Sequence, residues 1–172
     1  QIKENKFLKV NAIEHLQQTL KDLLKIIKVL IQKGPKKIVT AQTHGDFHAA
    51  NMLIEKDHFW LIDWEYSSRR QIAYDGLVYS LASRFPRDLN KRIGHALKGV
   101  SSDCEFLMSI WPIIEWRNKI QRQIIIVLFL LEELELKLKE NINSEFKSLG
   151  YGFKSFYQEL KISIQLLQRI TS

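Results

Sequence analysis

Asp46 and Asn51 are separated by four residues, and Asp63 lies twelve residues beyond Asn51. This spacing constrains the fold more than any other feature of the chain. Between Asn51 and Asp63 there is room for two short strands only, over residues 52–55 and 59–62, around Lys56-Asp57-His58. The pattern reads as a hairpin. A hairpin runs out and back, so it returns Asp63 to the side of Asn51. Ahead of the loop, Ile38-Val39-Thr40 reads as a short strand that delivers the chain to His44.

The flanks are helical. Over residues 12–33, Ile13, Leu16, Leu20, Leu23, Leu24, Ile27, Leu30 and Ile31 recur at helical spacing. Asn11 is placed to cap that helix and Gly34-Pro35 to stop it. Beyond Asp63, helices are expected over residues 73–84, stopping before Pro86, and over 88–97, 103–110, 113–141 and 153–170. The expected fold is α+β and mainly α: a helical bundle with a small β-hairpin beside the polar loop. Residues 1–172 read as a single lobe, with a core at 38–83 and a helical region at 88–172.

Charge and composition narrow the functional classes. The net charge of +7 suits an anionic partner. The cations are scattered, however, in clusters no denser than Lys36-Lys37 and Arg69-Arg70, and no nucleic-acid-binding signature accompanies them. No nucleic-acid partner is expected. The apolar run from Ile124 to Leu131 is eight residues long, too short to span a membrane. The single cysteine, Cys104, fits a reducing compartment, and a cytoplasmic protein is expected. Its neighbours Asp103 and Glu105 disfavour the thiolate, so it is not read as a nucleophile. The chain opens on Gln1 rather than methionine and is read as starting within a longer polypeptide.

Oxygen ligands brought together by a tight loop and a hairpin suit Mg²⁺. Phosphoryl transfer needs an oriented hydroxyl, a group to receive its proton, and divalent metal to neutralise the phosphates. Protein kinases achieve this with an Asp, four intervening residues, an Asn and a later Asp.

His44-Gly45-Asp46-Phe47-His48-Ala49-Ala50-Asn51-Met52-Leu53 resembles the catalytic loop of the aminoglycoside phosphotransferase and choline kinase superfamily. Leu61-Ile62-Asp63-Trp64-Glu65-Tyr66 is similar to its metal motif, and Tyr66-Ser67-Ser68 is especially like choline and ethanolamine kinases. Tyr74-Asp75-Gly76-Leu77 resembles the family's later Asp at a helix start. The resemblance implies the C-terminal lobe of a kinase-like fold, with ATP and Mg²⁺ serving transfer to a small-molecule alcohol. It implies Asp46 as the catalytic base or hydroxyl-orienting residue and Asn51 and Asp63 as Mg²⁺ ligands. His44, Glu65 and Asp75 would support the loop. The ATP-gripping N-terminal lobe would be a missing partner of this chain.

Two other classes compete. A lobe of this kind could be an inactive interaction module. Alternatively His44, Asp46 and His48 alternate, so on an extended strand they would face one side as zinc ligands of a hydrolase. Trp111, Glu115 and Trp116 lie where an acceptor pocket could form, although helical aromatics such as Trp111 and Trp116 are more often core and an exposed helix charge is the simpler account of Glu115. Trp60 and Trp64 are expected in the core.

Overall fold

The computed structural model describes residues 10–35, 37–99, 115–143 and 150–171. Helix α1 spans Val10–Lys33. Its buried stripe is Leu16, Leu23, Ile26, Ile27 and Leu30, while Leu24 and Ile31 lie on the opposite, exposed face. The helix begins ahead of Asn11, so Asn11 lies inside it rather than capping it.

Four strands and four further α-helices follow among the described residues. Strands β1 (Thr40–Thr43), β2 (Met52–Glu55), β3 (His58–Leu61) and β4 (Ser68–Gln71) form two separate two-stranded antiparallel sheets. Helices α2 (Tyr74–Ser80), α3 (Leu89–Lys98), α4 (Lys119–Asn143) and α5 (Tyr151–Thr171) complete the described fold. Helix α1 packs on α4 and α5, and α3 closes against the same pair. Ile124, Phe129, Leu130, Phe156 and Leu160 are almost fully buried where they meet. The fold is therefore mainly helical with small antiparallel sheets, as the sequence pattern implies.

The hairpin forms where it is expected, with Met52 opposite Leu61 and Glu55 opposite His58. Its turn is tighter by one residue, since His58 joins the strand. Strand β1 starts where the expected one ends. Its partner, β4, has no apolar alternation in Ser68-Arg69-Arg70-Gln71 to announce it. Polar contacts hold it instead: Arg69 Nε donates to Thr40 Oγ1 at 2.9 Å and Arg70 Nη1 to Thr43 Oγ1 at 2.8 Å.

Helix α2 is shorter than the expected residues 73–84, and the reason is a helix stop built without glycine. Ala82 takes a left-handed conformation, φ 43°. Its N–H donates to Tyr79 O at 3.0 Å and Ser83 N–H to Val78 O at 3.1 Å, the paired bonds of a Schellman motif. The chain turns there and carries residue 84 back toward the polar loop. Helix α4 likewise starts later than residue 113: Asn118 Oδ1 accepts from Ile120 N–H at 3.0 Å and Gln121 N–H at 3.1 Å, capping it. The expected helix over 103–110, and Cys104 with it, lies outside the described residues. Among the described residues no helix is long and apolar enough to cross a membrane.

Glu132 on α4 accepts from Gln71 N–H at 2.9 Å, joining β4 to the bundle. Its other oxygen is buried without a hydrogen-bond partner. Burial raises its pKa from 4.5 to about 7, against the lowering effects of the Gln71 bond and Arg70. Between those two values the folded chain binds more protons than the unfolded one, so stability falls as pH rises through the window. Glu132→Gln keeps an acceptor for Gln71 and removes the charge. Urea denaturation at about pH 5 and about pH 8 should show the wild type losing up to about 3 kcal/mol relative to this variant at the higher pH.

Candidate active site

The polar loop has little regular backbone bonding of its own, and its geometry is imposed by side chains. Asp75, in the first turn of α2, accepts from His44 N–H at 2.7 Å and from Gly45 N–H at 2.9 Å. Gly45 sits at φ 89°, and a Cβ there would lie 2.3 Å from Tyr66 O. Only glycine lets the loop pass this close to the segment after Asp63.

His44 is buried, 1% exposed, and both ring nitrogens are committed. Nε2–H donates to Ile62 O at 2.7 Å, and Nδ1 accepts from Asp46 N–H at 3.2 Å, which fixes the tautomer. The ring meets Trp64 edge-on, with centroids 4.8 Å apart. His44 thus braces the loop against the residue preceding Asp63. His48 donates from Nε2 to Asp46 Oδ2 at 3.2 Å, and its Nδ1 accepts from Ala50 N–H at 3.4 Å. The zinc reading of His44, Asp46 and His48 fails on this geometry, because neither nitrogen of His44 has a lone pair to offer a metal. Among the described residues no three His, Cys, Asp or Glu side chains form a metal-holding group.

Asp46 and Asn51 meet directly. The Asn51 amide nitrogen donates to Asp46 O and to Asp46 Oδ2, each at 2.9 Å. That leaves Asn51 Oδ1 without a hydrogen bond to the described residues. Ile62 N–H donates to Asn51 O at 3.0 Å, so the hairpin returns the chain beside Asn51 as the spacing requires. Asp63 follows in a left-handed conformation, φ 66° and ψ 60°, and opens a 3-10 turn over Trp64–Tyr66. A non-glycine residue held there costs about 1–3 kcal/mol and is found where a side chain must be aimed. Its carboxylate is exposed and makes no hydrogen bond or ion pair with the described residues. Two uncommitted hard oxygen donors, Asn51 Oδ1 and the Asp63 carboxylate, fit Mg²⁺, which takes few protein ligands and keeps water for the rest.

One principal partner of the site is not apparent from the spacing of the motifs. Arg84 Nε donates to Asp46 Oδ1 and Nη2 to Gly45 O. Its Nη1 donates to Glu133 Oε1 at 3.2 Å and Oε2 at 2.9 Å. Glu133 is fully buried on α4 and also accepts from the Tyr74 hydroxyl. A carboxylate on the inward face of an apolar helix requires a cation nearby, and that was the available signal. Burial pushes the Asp46 pKa up, but Arg84, His48 and Asn51 outweigh it and hold the carboxyl below its usual range.

Glu65 is exposed on the 3-10 turn. With Tyr66, Arg70, Lys139 and Glu140 it lines a cavity of about 470 Å³. Burial, then Glu140 and Glu65, raise the Tyr66 hydroxyl pKa to about 12, so it remains a proton donor at neutral pH. The remaining aromatic expectations do not share one outcome. Trp116 is 2% exposed in the core and cannot wall an open pocket; Glu115 is exposed in the turn before α4; Trp111 lies outside the described residues. Trp60 and Trp64, expected in the core, are 56% and 50% exposed. Trp60 on the hairpin and Trp64 on the 3-10 turn thus lie at the surface of the described residues.

Residues 2–105 match the model of the phosphotransferase enzyme family, more than half of the chain. The chain belongs to that family, within the superfamily of aminoglycoside phosphotransferases and choline kinases. No curated protein and no solved structure gives a match. The polar loop, the hairpin, Asp75 and Arg84 fall inside the matched span, whereas Glu133 falls outside it.

Two substitutions probe the scaffold. Gly45→Ala should destabilise the chain by about 3 kcal/mol or more, since the clash is with backbone. Asp75→Ala strands two amides and should cost about 2–5 kcal/mol. Chemical denaturation measures both, and Asp75→Asn, which keeps an acceptor, should recover part of the second loss.

Proposed function

We propose that this chain is the C-terminal lobe of a kinase-like enzyme that transfers the γ-phosphoryl group of ATP to an alcohol of a small molecule. Family membership gives the phosphotransferase class. The observation that carries the finer reading is the commitment pattern of the loop: Asp46 is held by Asn51, His48 and Arg84, while Asn51 Oδ1 and the Asp63 carboxylate have no hydrogen-bond partner among the described residues. Asp46 orients the acceptor hydroxyl and receives its proton. Asn51 and Asp63 would hold Mg²⁺, which neutralises phosphate charge when bound. His44, Asp75 and the Glu65 turn keep these groups in register.

The hairpin supports the lobe assignment. Leu53, Ile54, Phe59, Trp60 and Ile62 are all exposed on or beside it. Leu53, Trp60 and Ile62 fall on one side of the hairpin and Ile54 and Phe59 on the other. A hairpin apolar on both sides fits burial against another folded element, and in this reading the element is the N-terminal lobe that grips ATP. The cavity beside Tyr66 carries Glu65 and Glu140 together with Arg70, Lys139, Ser67 and Ser68, a polar lining of both signs that suits an acceptor rich in hydroxyl or amino groups, whether an amino alcohol, a sugar or an aminoglycoside.

In the full-length protein, Asp46→Ala and Asp63→Ala should each lower ATP-dependent phosphorylation by about a hundred- to ten-thousand-fold. Asp63→Ala should melt close to the wild type, whereas Asp46→Ala, which takes a partner from Arg84, should melt lower yet cooperatively, as a folded chain. A panel of amino-alcohol, sugar and aminoglycoside acceptors, read by ADP release, identifies the substrate class. Undiminished activity in both variants would remove the kinase reading.

A further inference from the structure

Arg84 is the best-connected charged side chain of the site. Its side chain is 12% exposed, and its Nε and both Nη atoms are committed to Asp46, Glu133 and Gly45. A guanidinium held on three sides in this way is not free to turn toward a phosphate. It acts through the groups it holds. Behind it stands Glu133, 0% exposed and anchored a second time by Tyr74. Helix α4, the Schellman turn at Ala82 and the catalytic loop are joined at this one residue.

The hydrogen bonds around Asp46 can be counted. A carboxylate offers about four acceptor directions, two on each oxygen. Asn51 and His48 both donate to Oδ2, and Arg84 donates to Oδ1. Among the described residues, one direction on Oδ1 is left. The Asp46 side chain is 17% exposed, so solvent or a small molecule can reach it.

We propose that Arg84 is a positioning residue for phosphoryl transfer: braced by Glu133, it fixes the Asp46 carboxylate so that a single lone-pair direction on Oδ1 receives the acceptor hydroxyl. The proposal rests on the kinase reading above. In the step it serves, the acceptor O–H bond breaks and its proton passes to Asp46. The acceptor oxygen forms a bond to the γ-phosphorus, and the bond from that phosphorus to the bridging oxygen breaks, releasing ADP. Arg84 neither gives nor takes an atom. It sets the angle from which Asp46 works.

Steady-state kinetics of the full-length enzyme separate positioning from a general structural role. Arg84→Met should lower kcat about a hundredfold, with both KM values within about twofold of wild type. Arg84→Lys, which keeps the charge but lacks the fork, should regain only part of the rate. Because Arg84→Met leaves Glu133 unpaired, the double variant Arg84→Met/Glu133→Gln provides a folded comparison and should show the same kcat loss. A kcat within about threefold of wild type in a folded Arg84→Met or double variant overturns the proposal.

A second readout does not need activity. In a ¹⁵N NMR spectrum of this chain, the Arg84 Nε–H signal, assigned by its absence from Arg84→Lys, should stand apart from those of exposed arginines and move toward them in Asp46→Asn. A signal that coincides with the exposed arginines overturns the proposal even if the enzyme is active. If the wild type shows no phosphotransfer while that signal behaves as expected, the kinase reading fails and the Arg84–Asp46 clamp stands.

Discussion

The loop at residues 44–51 needs an external anchor, and Asp75 supplies it. Two successive backbone amides, those of His44 and Gly45, point at one carboxylate in the first turn of α2. Charge-assisted bonds of this kind are about twice as strong as neutral ones. Everything else in the site is referred to that fixed point. With the amides held, the His44 ring can brace Ile62, Gly45 can pass under Tyr66, and Asp46 emerges facing Arg84. Asp75 makes the start of α2 and the polar loop one rigid unit, although they are separate in the secondary structure.

Electrostatics then decide what the rigid unit can do. Glu133 is a carboxylate with no access to water, and a lone charge in that position is very unfavourable. Arg84 and Tyr74 resolve it together. The same Arg84 extends the compensation to Asp46, so a charge set deep in the bundle influences the charge at the surface of the loop. Breaking such a pair from one side costs about 3–5 kcal/mol, because the remaining partner stays buried. Structural cohesion and site geometry therefore depend on the same guanidinium.

Much of this was legible in the residues themselves. The helical stripes, the hairpin and the return of Asp63 beside Asn51 follow from periodicity and spacing, which are local properties. The support of the loop by Asp75 did not follow from spacing; it was implied by the family resemblance. Two features were hidden for physical reasons. Strand β4 is held by backbone pairing and polar side chains, so it carries no hydrophobic alternation. Helix α2 stops at Ser80 on a left-handed alanine, where glycine would have been the visible sign. Because the stop was hidden, so was the path that brings Arg84 to Asp46. Trp60 and Trp64 lie at the surface rather than in the core, because aromatic content alone does not say which side of an element has a neighbour.

That placement has a spectroscopic consequence. Trp60 and Trp64 are half in water on the hairpin and beside Asp63, whereas Trp116 is enclosed in the bundle. Their emission is therefore divided between a solvent-relaxed, red component and a shielded, blue one. Whatever settles over the hairpin will shift the first and leave the second unchanged. The chain carries its own optical gauge of how that face is covered, without any added label.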